Sequence, residues 1–352
     1  MTAGMTSDTG ADADMLREFE RCQALIERRL DGLLRELGSR LHRRGRAGAA
    51  HDSGAHEPGG HEPGGHGSGA EEPGGHAPPE RGAGAEEGYA KLLESMGYSL
   101  LAGGKRIRPV ICVKFCEAAG GDPETALDAA CAIEMLHTYS LIHDDLPCMD
   151  DDDYRRGKLS NHAKYGEFVA TLAGDALQAA AFETLVKSNL PPERIVAAAA
   201  ALSEAAGAHG ICGGQYLDLS GEGKPLSRAA VEKIHSLKTA ALISAAAKIG
   251  VIAAGGTARQ TEAAERYANA VGLAFQVRDD VLDVTAAQEE LGKPVGSDKD
   301  NNKTTFCTLL GADECEEIIR SETEKAAASL HGKFADASFL IWLAGMLAER
   351  KY

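Results

Sequence analysis

Aromatic residues are scarce in this chain: Phe, Trp and Tyr together make up 5% of its 352 residues, with a single Trp. That scarcity, beside long alanine-rich runs, argues against a sheet built from aromatic and β-branched side chains and for helices packed closely through small ones. Period-2 alternation of apolar and polar residues is also missing, so the expected class is all-α. The chain lacks a basic excess, carrying 37 Lys and Arg against 53 Asp and Glu for a net charge of −16. This argues against a nucleic-acid partner, because phosphate backbones select basic surfaces. Local basic clusters can still hold a small phosphate-bearing molecule. The eight cysteines include no CxxC pair and no dense framework. Reduced thiols in a cytoplasmic protein fit that pattern better than a disulfide scaffold or a thiolate metal site. No apolar run reads as long enough to cross a bilayer and no signal-peptide core follows the polar N-terminus, so no transmembrane segment is expected.

What the chain does contain is helical pattern with one interruption. Residues 15–41 place Leu16, Phe19, Leu25, Ile26, Leu30, Leu33 and Leu34 at helical spacing, which predicts an amphipathic N-terminal helix within residues 1–45 that packs on the main domain. Residues 46–88 are rich in Gly, Pro, His, Glu and Ala, with the tandem "HEPGGHEPGGH". Such composition predicts a flexible linker. Its spaced histidines, His51, His56, His61, His66 and His76, need no function, since low-complexity repeats arise without one. From residue 89 to 352 the helical pattern is almost continuous and predicts one large domain.

Two acidic clusters stand out. In "LIHDDLPCMDDDDYRRG", residues 141–157, six aspartates fall within ten positions. Apolar residues at helical spacing lead into Asp144 and Asp145, and Pro147 predicts that the helix ends or kinks there. Asp150 to Asp153 follow the bend, where the chain can return a second carboxylate to the first. In "FQVRDDVLDV", residues 275–284, Gln276, Asp279, Asp280 and Asp283 are spaced to share one helix face. Oxygen ligands of this kind suit Mg²⁺, which is usually held by one or two carboxylates together with substrate phosphates. "GGKRIRP" (103–109), Arg155, Arg156, Lys238, Lys293 and Lys303 are suited to phosphate oxygens. The spacing fits neither an EF-hand nor a P-loop. Acidic and basic clusters together suggest a diphosphate bridged by magnesium.

The motifs "GGKRIRP", "EMLHTYSLIHDDLPCMDDDDYRRG", "LAGDAL", "GGQYLDL", "HSLKTAALI", "GLAFQVRDDVLDV" and "LGKPVGSDKDNNKTT" occur in the order found in trans-isoprenyl diphosphate synthases. The resemblance runs from about Tyr89 to the C-terminus, and the short-chain branch, farnesyl and geranylgeranyl diphosphate synthases, looks most similar. The long linker departs from that pattern. The resemblance implies a single large helical bundle around a deep central cavity, a homodimer, and head-to-tail trans-condensation of isopentenyl diphosphate with an allylic diphosphate. It implies Mg²⁺, three ions with substrate bound, held by Asp144, Asp150 and Asp279 with Asp145, Asp280 and Asp283 nearby. Arg155, Lys238, Thr239, Gln276, Lys293 and Lys303 resemble the allylic diphosphate contacts. Gly104, Lys105, Arg108, His137 and Arg156 resemble the isopentenyl diphosphate site. Within that set the catalytic group is Asp144, Asp145, Asp150, Asp279, Arg155 and Lys238.

Product length is expected to depend on Tyr139 and its neighbour Ser140. Tyr139 lies five residues before Asp144, about 7.5 Å along a helix. In the family a bulky side chain there looks like a floor under the growing tail, which favours the fifteen-carbon farnesyl product. Geranylgeranyl diphosphate is the alternative. A class I terpene cyclase is a poorer fit, because it needs no second diphosphate site and usually lines its cavity with more aromatics. A non-catalytic synthase subunit should have lost one acidic cluster, and both are intact.

Overall fold

The computed structural model describes residues 9–51, 84–289 and 304–350. Helix α1 spans Thr9–His51, α2 Gly84–Leu100, α3 Ile107–Ala118 and α4 Leu127–Asp144, the last entered through a 3₁₀ turn at Pro123–Ala126. A hairpin of β1 (Tyr154–Arg155) and β2 (Lys158–Leu159) precedes α5 (Asn161–Tyr165), α6 (Glu167–Val186), α7 (Pro192–Ala206) and α8 (Ile211–Gly221). Next come α9 (Arg228–His235), a π-helical turn at Ser236–Ala240, α10 (Ala241–Ala254) and α11 (Ala258–Glu289). The chain closes with α12 (Phe306–Leu310), α13 (Ala312–Leu330) and α14 (Ser338–Ala348). The all-α expectation holds.

Burial follows helical spacing. Helix α1 turns Phe19, Cys22, Ile26, Leu30 and Leu33 inward, and each fully buried Ile or Leu contributes about 1.5–3 kcal/mol. Helix α4 packs on α6 and α3, while α10 packs on α3, α7 and α11. The alanines of α10 allow that crowding. Phe115 anchors the centre, with its ring 5.2 Å from Tyr267 and 5.6 Å from Phe334 in edge-on contacts. The Tyr267 hydroxyl donates to Leu340 O at 2.7 Å, so the aromatic body is buried and its polar end satisfied.

Three details depart from the sequence expectations. Helix α1 runs to His51, six residues past the expected end at 45, and α2 starts at Gly84 rather than 89. Alanine and arginine in "RRGRAGAAH" carry the helix onward. The rest of the expected linker, 52–83, lies outside the described residues. Two strands do form, with Tyr154 opposite Leu159 and Arg155 opposite Lys158. Two residues per strand are too short to show alternation. Their turn, Arg156 and Gly157, has φ of 53° and 73°, the left-handed pair that suits strand twist in a two-residue hairpin. By length and composition alone, Pro192–Gly221 and Arg228–Ala254 are apolar enough to cross a membrane. Here the first is broken between α7 and α8, and 67% of the apolar window of the second is buried in the bundle.

Candidate active site

Helix α4 buries Ile133, Met135, Leu136, Tyr139 and Ile142 and ends at Asp144. Leu146 and Pro147 turn the chain, and the Asp150 N–H donates back to Asp144 O at 2.9 Å. The predicted return of a second carboxylate is thus made through the backbone. Asp151 takes a left-handed φ of 54° in this tight loop. Burial pushes the Asp144 carboxyl up to about 6; Lys238 and Arg155 pull it down, and Asp150 and Asp145 add to the rise. Asp150 Oδ1 is buried with no hydrogen-bond partner among the described residues. An anion in that state calls for a cation. Asp145 differs: it is 2% exposed and accepts from Arg155 Nε at 2.6 Å. Adjacent residues point about 100° apart on a helix, so Asp145 is committed to the hairpin while Asp144 is not. Burial nonetheless raises the Asp145 carboxyl to about 6, against the pull of Arg155.

The π-helical turn carries Lys238 and Thr239. Lys238 Nζ donates to Asp218 Oδ2 at 2.8 Å. Burial works against its charge, but Asp218, Asp144 and Asp150 together hold its pKa above the ordinary value. The Thr239 hydroxyl donates to Gln276 Oε1 at 3.0 Å, which ties the turn to α11. The His235 ring stacks on Phe306 at 5.4 Å and fixes the turn from the other side.

On α11 the two adjacent aspartates part company. Asp279 is half-buried and accepts from Arg350 Nη2 at 2.5 Å. The Arg350 guanidinium also donates to Phe275 O at 2.9 Å and lies 3.6 Å over the Phe275 ring. Burial raises the Asp279 carboxyl above its ordinary range, while Arg350, Lys105 and Arg108 lower it. Asp280 is buried, accepts the Phe306 N–H at 2.8 Å and holds α12 against α11. Gln276 Nε2 lies 3.4 Å from Asp280 Oδ1, the shared face the spacing predicts, but the other Asp280 oxygen is taken by the Phe306 N–H while Asp279 turns to the cations. The Asp283 side chain, Lys293 and Lys303 lie outside the described residues.

The basic loop before α3 is built on Arg106, at φ 50°. Its guanidinium is 1% exposed, donates to Glu134 Oε1 at 2.6 Å and to Leu100 O at 2.8 Å. Arg108 follows, with its Nη1 3.3 Å from His137 Nε2 on α4. Burial and the surrounding Arg108, Arg156, Arg106 and Arg155 hold His137 well below its ordinary pKa, so it is neutral at pH 7. Arg156 lies against Gly104: a Cβ there would sit 2.9 Å from the guanidinium carbon. Gly104 has φ +123°, the backbone conformation that calls for glycine. Arg156 donates to Gly103 O. Burial and the Arg350 charge lower the Lys105 ammonium pKa against the pull of Asp279. Lys105, Arg108 and Arg156 therefore form a cationic patch near Asp279, with Gly104 and neutral His137 packed against it.

Tyr139 is buried, its hydroxyl 3.5 Å from Ala206 O and 3.7 Å from Cys212 Sγ. It spans from α4 to the α7–α8 junction. The Ser140 hydroxyl bonds back to His137 O at 2.9 Å. Among the expected residues, Asp144, Asp150, Arg155 and Lys238 come together, and so do Thr239 and Gln276. Sequence spacing missed Asp218, Arg350 and the Arg106–Glu134 pair. Only the acidic residue in "GGQYLDL" left a signal.

Residues 90–335 match the family model described as polyprenyl synthetase. A chloroplastic geranylgeranyl pyrophosphate synthase from Capsicum annuum is 49% identical over 261 residues, 73% of this chain and 71% of that protein. A farnesyl diphosphate synthase from Geobacillus stearothermophilus is 44% identical over 268 residues, 75% of this chain and 90% of that one. The crystal structure of a geranyltransferase from Legionella pneumophila superposes with a TM-score of 0.74 at 29% identity, covering 97% of this chain and 98% of that one. With a family model spanning well over half its length and relatives this similar, the chain belongs to the polyprenyl synthetase family and is a trans-prenyl diphosphate synthase.

Proposed function

We propose that the chain condenses isopentenyl diphosphate head to tail with dimethylallyl or geranyl diphosphate and stops at farnesyl diphosphate. The observation that carries this reading is the placing of carboxylates among cations on two walls: Asp144 and Asp150 beside Lys238 and Arg155, and Asp279, paired with Arg350, near Lys105 and Arg108. Among the described residues no three carboxylate, thiol or imidazole groups converge on one point. Mg²⁺ takes one or two carboxylates and completes its shell with phosphate oxygens and water. The orphaned Asp150 Oδ1 and the raised Asp144 carboxyl fit such an ion. Asp144 and Asp150 would hold it on one side and Asp279 on the other. Bound there, magnesium supplies Lewis-acid stabilisation of the departing diphosphate.

The chain's own residues do the rest. Lys238, Arg155 and the linked Thr239–Gln276 pair bind and orient the allylic diphosphate, placing positive charge where negative charge develops as the carbon–oxygen bond breaks. Lys105, Arg108, Arg156 and neutral His137 hold the isopentenyl diphosphate, whose double bond attacks the allylic carbon. The proton then lost goes to the departing diphosphate, since among the described residues no side chain is placed as a dedicated base. The apolar wall of α4 excludes water from the cation. Exposed Phe168 and Leu172, one turn apart on α6, belong in this reading to a surface that a second copy of the chain covers in a homodimer.

Product analysis with Mg²⁺, isopentenyl diphosphate and geranyl diphosphate tests the reading. Farnesyl diphosphate that accumulates and disappears from a metal-free control supports it. Tyr139→Ala is expected to lengthen the main product by at least one five-carbon unit. Identical products from this variant and wild type would place the floor elsewhere. Twenty-carbon product from the unaltered chain would favour the geranylgeranyl reading, which the Capsicum annuum relative's name supports.

The raised carboxyls also predict a pH dependence. Asp144 and Asp145 sit near 6 when folded against about 3.9 unfolded, so the folded state binds more protons between those values. Their contribution to stability is present below about 4 and is lost as pH rises through about 6. In metal-free protein, wild type is therefore expected to gain less stability than Asp144→Asn between pH 4.5 and 7. Saturating Mg²⁺ should narrow the gap at pH 7. Thermal melts across that range check it, and parallel curves without metal would contradict it.

A further inference from the structure

Helix α8 and the π-helical turn touch backbone to backbone. A Cβ at Gly214 would lie 2.4 Å from Lys238 N and 2.7 Å from its Cα, so no side chain separates them and their register is fixed. One turn on along the same face of α8 is Asp218, whose Oδ2 takes the Lys238 ammonium at 2.8 Å. Both side chains are mostly buried, at 25% and 22% exposure. The other anions acting on Lys238 are Asp144 and Asp150. Its flexible stem and three donors would let it settle on them if Asp218 were neutral. His235 offers no positive charge in its place, because burial lowers its pKa to about 4 against the pull of Asp218. On the opposite wall a basic side chain does settle on a candidate metal ligand: there Arg350 sits directly on Asp279.

We propose that Asp218 is a positioning residue that holds the Lys238 ammonium to one side, so that Asp144 and Asp150 stay open to a divalent cation. The lysine remains within reach of a diphosphate but does not compete for the metal's oxygens. This rests on reading Asp144 and Asp150 as metal ligands.

The test is Mn²⁺ titration of the substrate-free full chain, followed by electron paramagnetic resonance, with folding checked by circular dichroism. Asp218→Asn should weaken Mn²⁺ binding by about tenfold, as a freed ammonium a few ångströms from two carboxylates repels the ion. Asp218→Glu, which keeps the anchoring charge, should stay within about twofold of wild type. Adding Lys238→Gln to Asp218→Asn removes the competitor and should restore binding. Unchanged affinity in Asp218→Asn, or a double variant as weak as the single one, overturns the proposal. If Asp218→Asn does not fold, Lys238→Gln alone decides: it should bind Mn²⁺ at least as tightly as wild type, and weaker binding overturns the idea. Wild-type binding that Asp144→Ala leaves untouched would instead fault the metal assignment.

Discussion

Asp144→Ala is expected to lower kcat/KM by about 10³-fold or more, the scale of losing a preorganised electrostatic stabiliser, with little loss of fold. Asp144 is the last residue of α4, and among the described residues its carboxylate meets no hydrogen-bonded cation, unlike Asp145 beside it. Burial already disfavours its charge. Removing it therefore takes away a charge that costs stability, and the metal-free variant should melt at or slightly above the wild-type temperature. What disappears is the response to magnesium. Ligand that binds only the folded state stabilises it by RT ln(1 + [L]/Kd), so the rise in melting temperature on adding Mg²⁺ should shrink sharply. Asp145→Ala provides the contrast: it takes the hydrogen-bonded partner of the half-buried Arg155, leaving Asp152 at 3.6 Å, and should lower stability first and activity second. Steady-state kinetics and melts with and without Mg²⁺ separate the two. Activity within tenfold of wild type in Asp144→Ala would remove that residue from the metal site.

Features carried by short-range chemistry could be read from the chain. The end of α4 near Pro147 follows from a residue that lacks a donor, and the observed last helical residue is Asp144. The face of α1 that carries Phe19, Ile26 and Leu30 follows from spacing alone. The return of Asp150 follows from a bend of five residues between two carboxylates. What could not be read is where charges go once the chain closes. Gln276 and Thr239 are 37 residues apart, Lys238 and Asp218 are 20 apart, and Arg350 and Asp279 are 71 apart. No periodicity links them, because each pairing depends on how separate helices dock. The split between Asp279 and Asp280 has the same origin. Spacing places them one position apart on a helix, but only the docking of Phe306 decides which of them is spent on a backbone N–H.

Glu134→Ala is expected to destabilise the protein by about 3–5 kcal/mol, the cost of breaking a buried ion pair by removing one partner. Glu134 is 2% exposed and Arg106 1%, with 2.6 Å between them. The Leu100 carbonyl and Glu27, 3.7 Å away, are too little to replace a lost carboxylate. Arg106→Met with Glu134→Leu removes both charges together and should recover most of the loss, since well-packed apolar residues can replace a buried pair at little cost. The two measurements then part. Arg106 holds a left-handed backbone, φ 50°, at the start of the helix that carries Arg108, and residues in such sparsely populated conformations persist only where surrounding contacts over-determine them. Without the anchor to Glu134 and Leu100 the loop from Gly103 to Arg106 should relax. The double variant is therefore expected to regain stability in urea but keep a raised KM for isopentenyl diphosphate, with kcat changed less. Wild-type KM in the double variant would mean that the loop holds its shape without the pair. A loss below about 1 kcal/mol in Glu134→Ala would mean that water reaches Arg106.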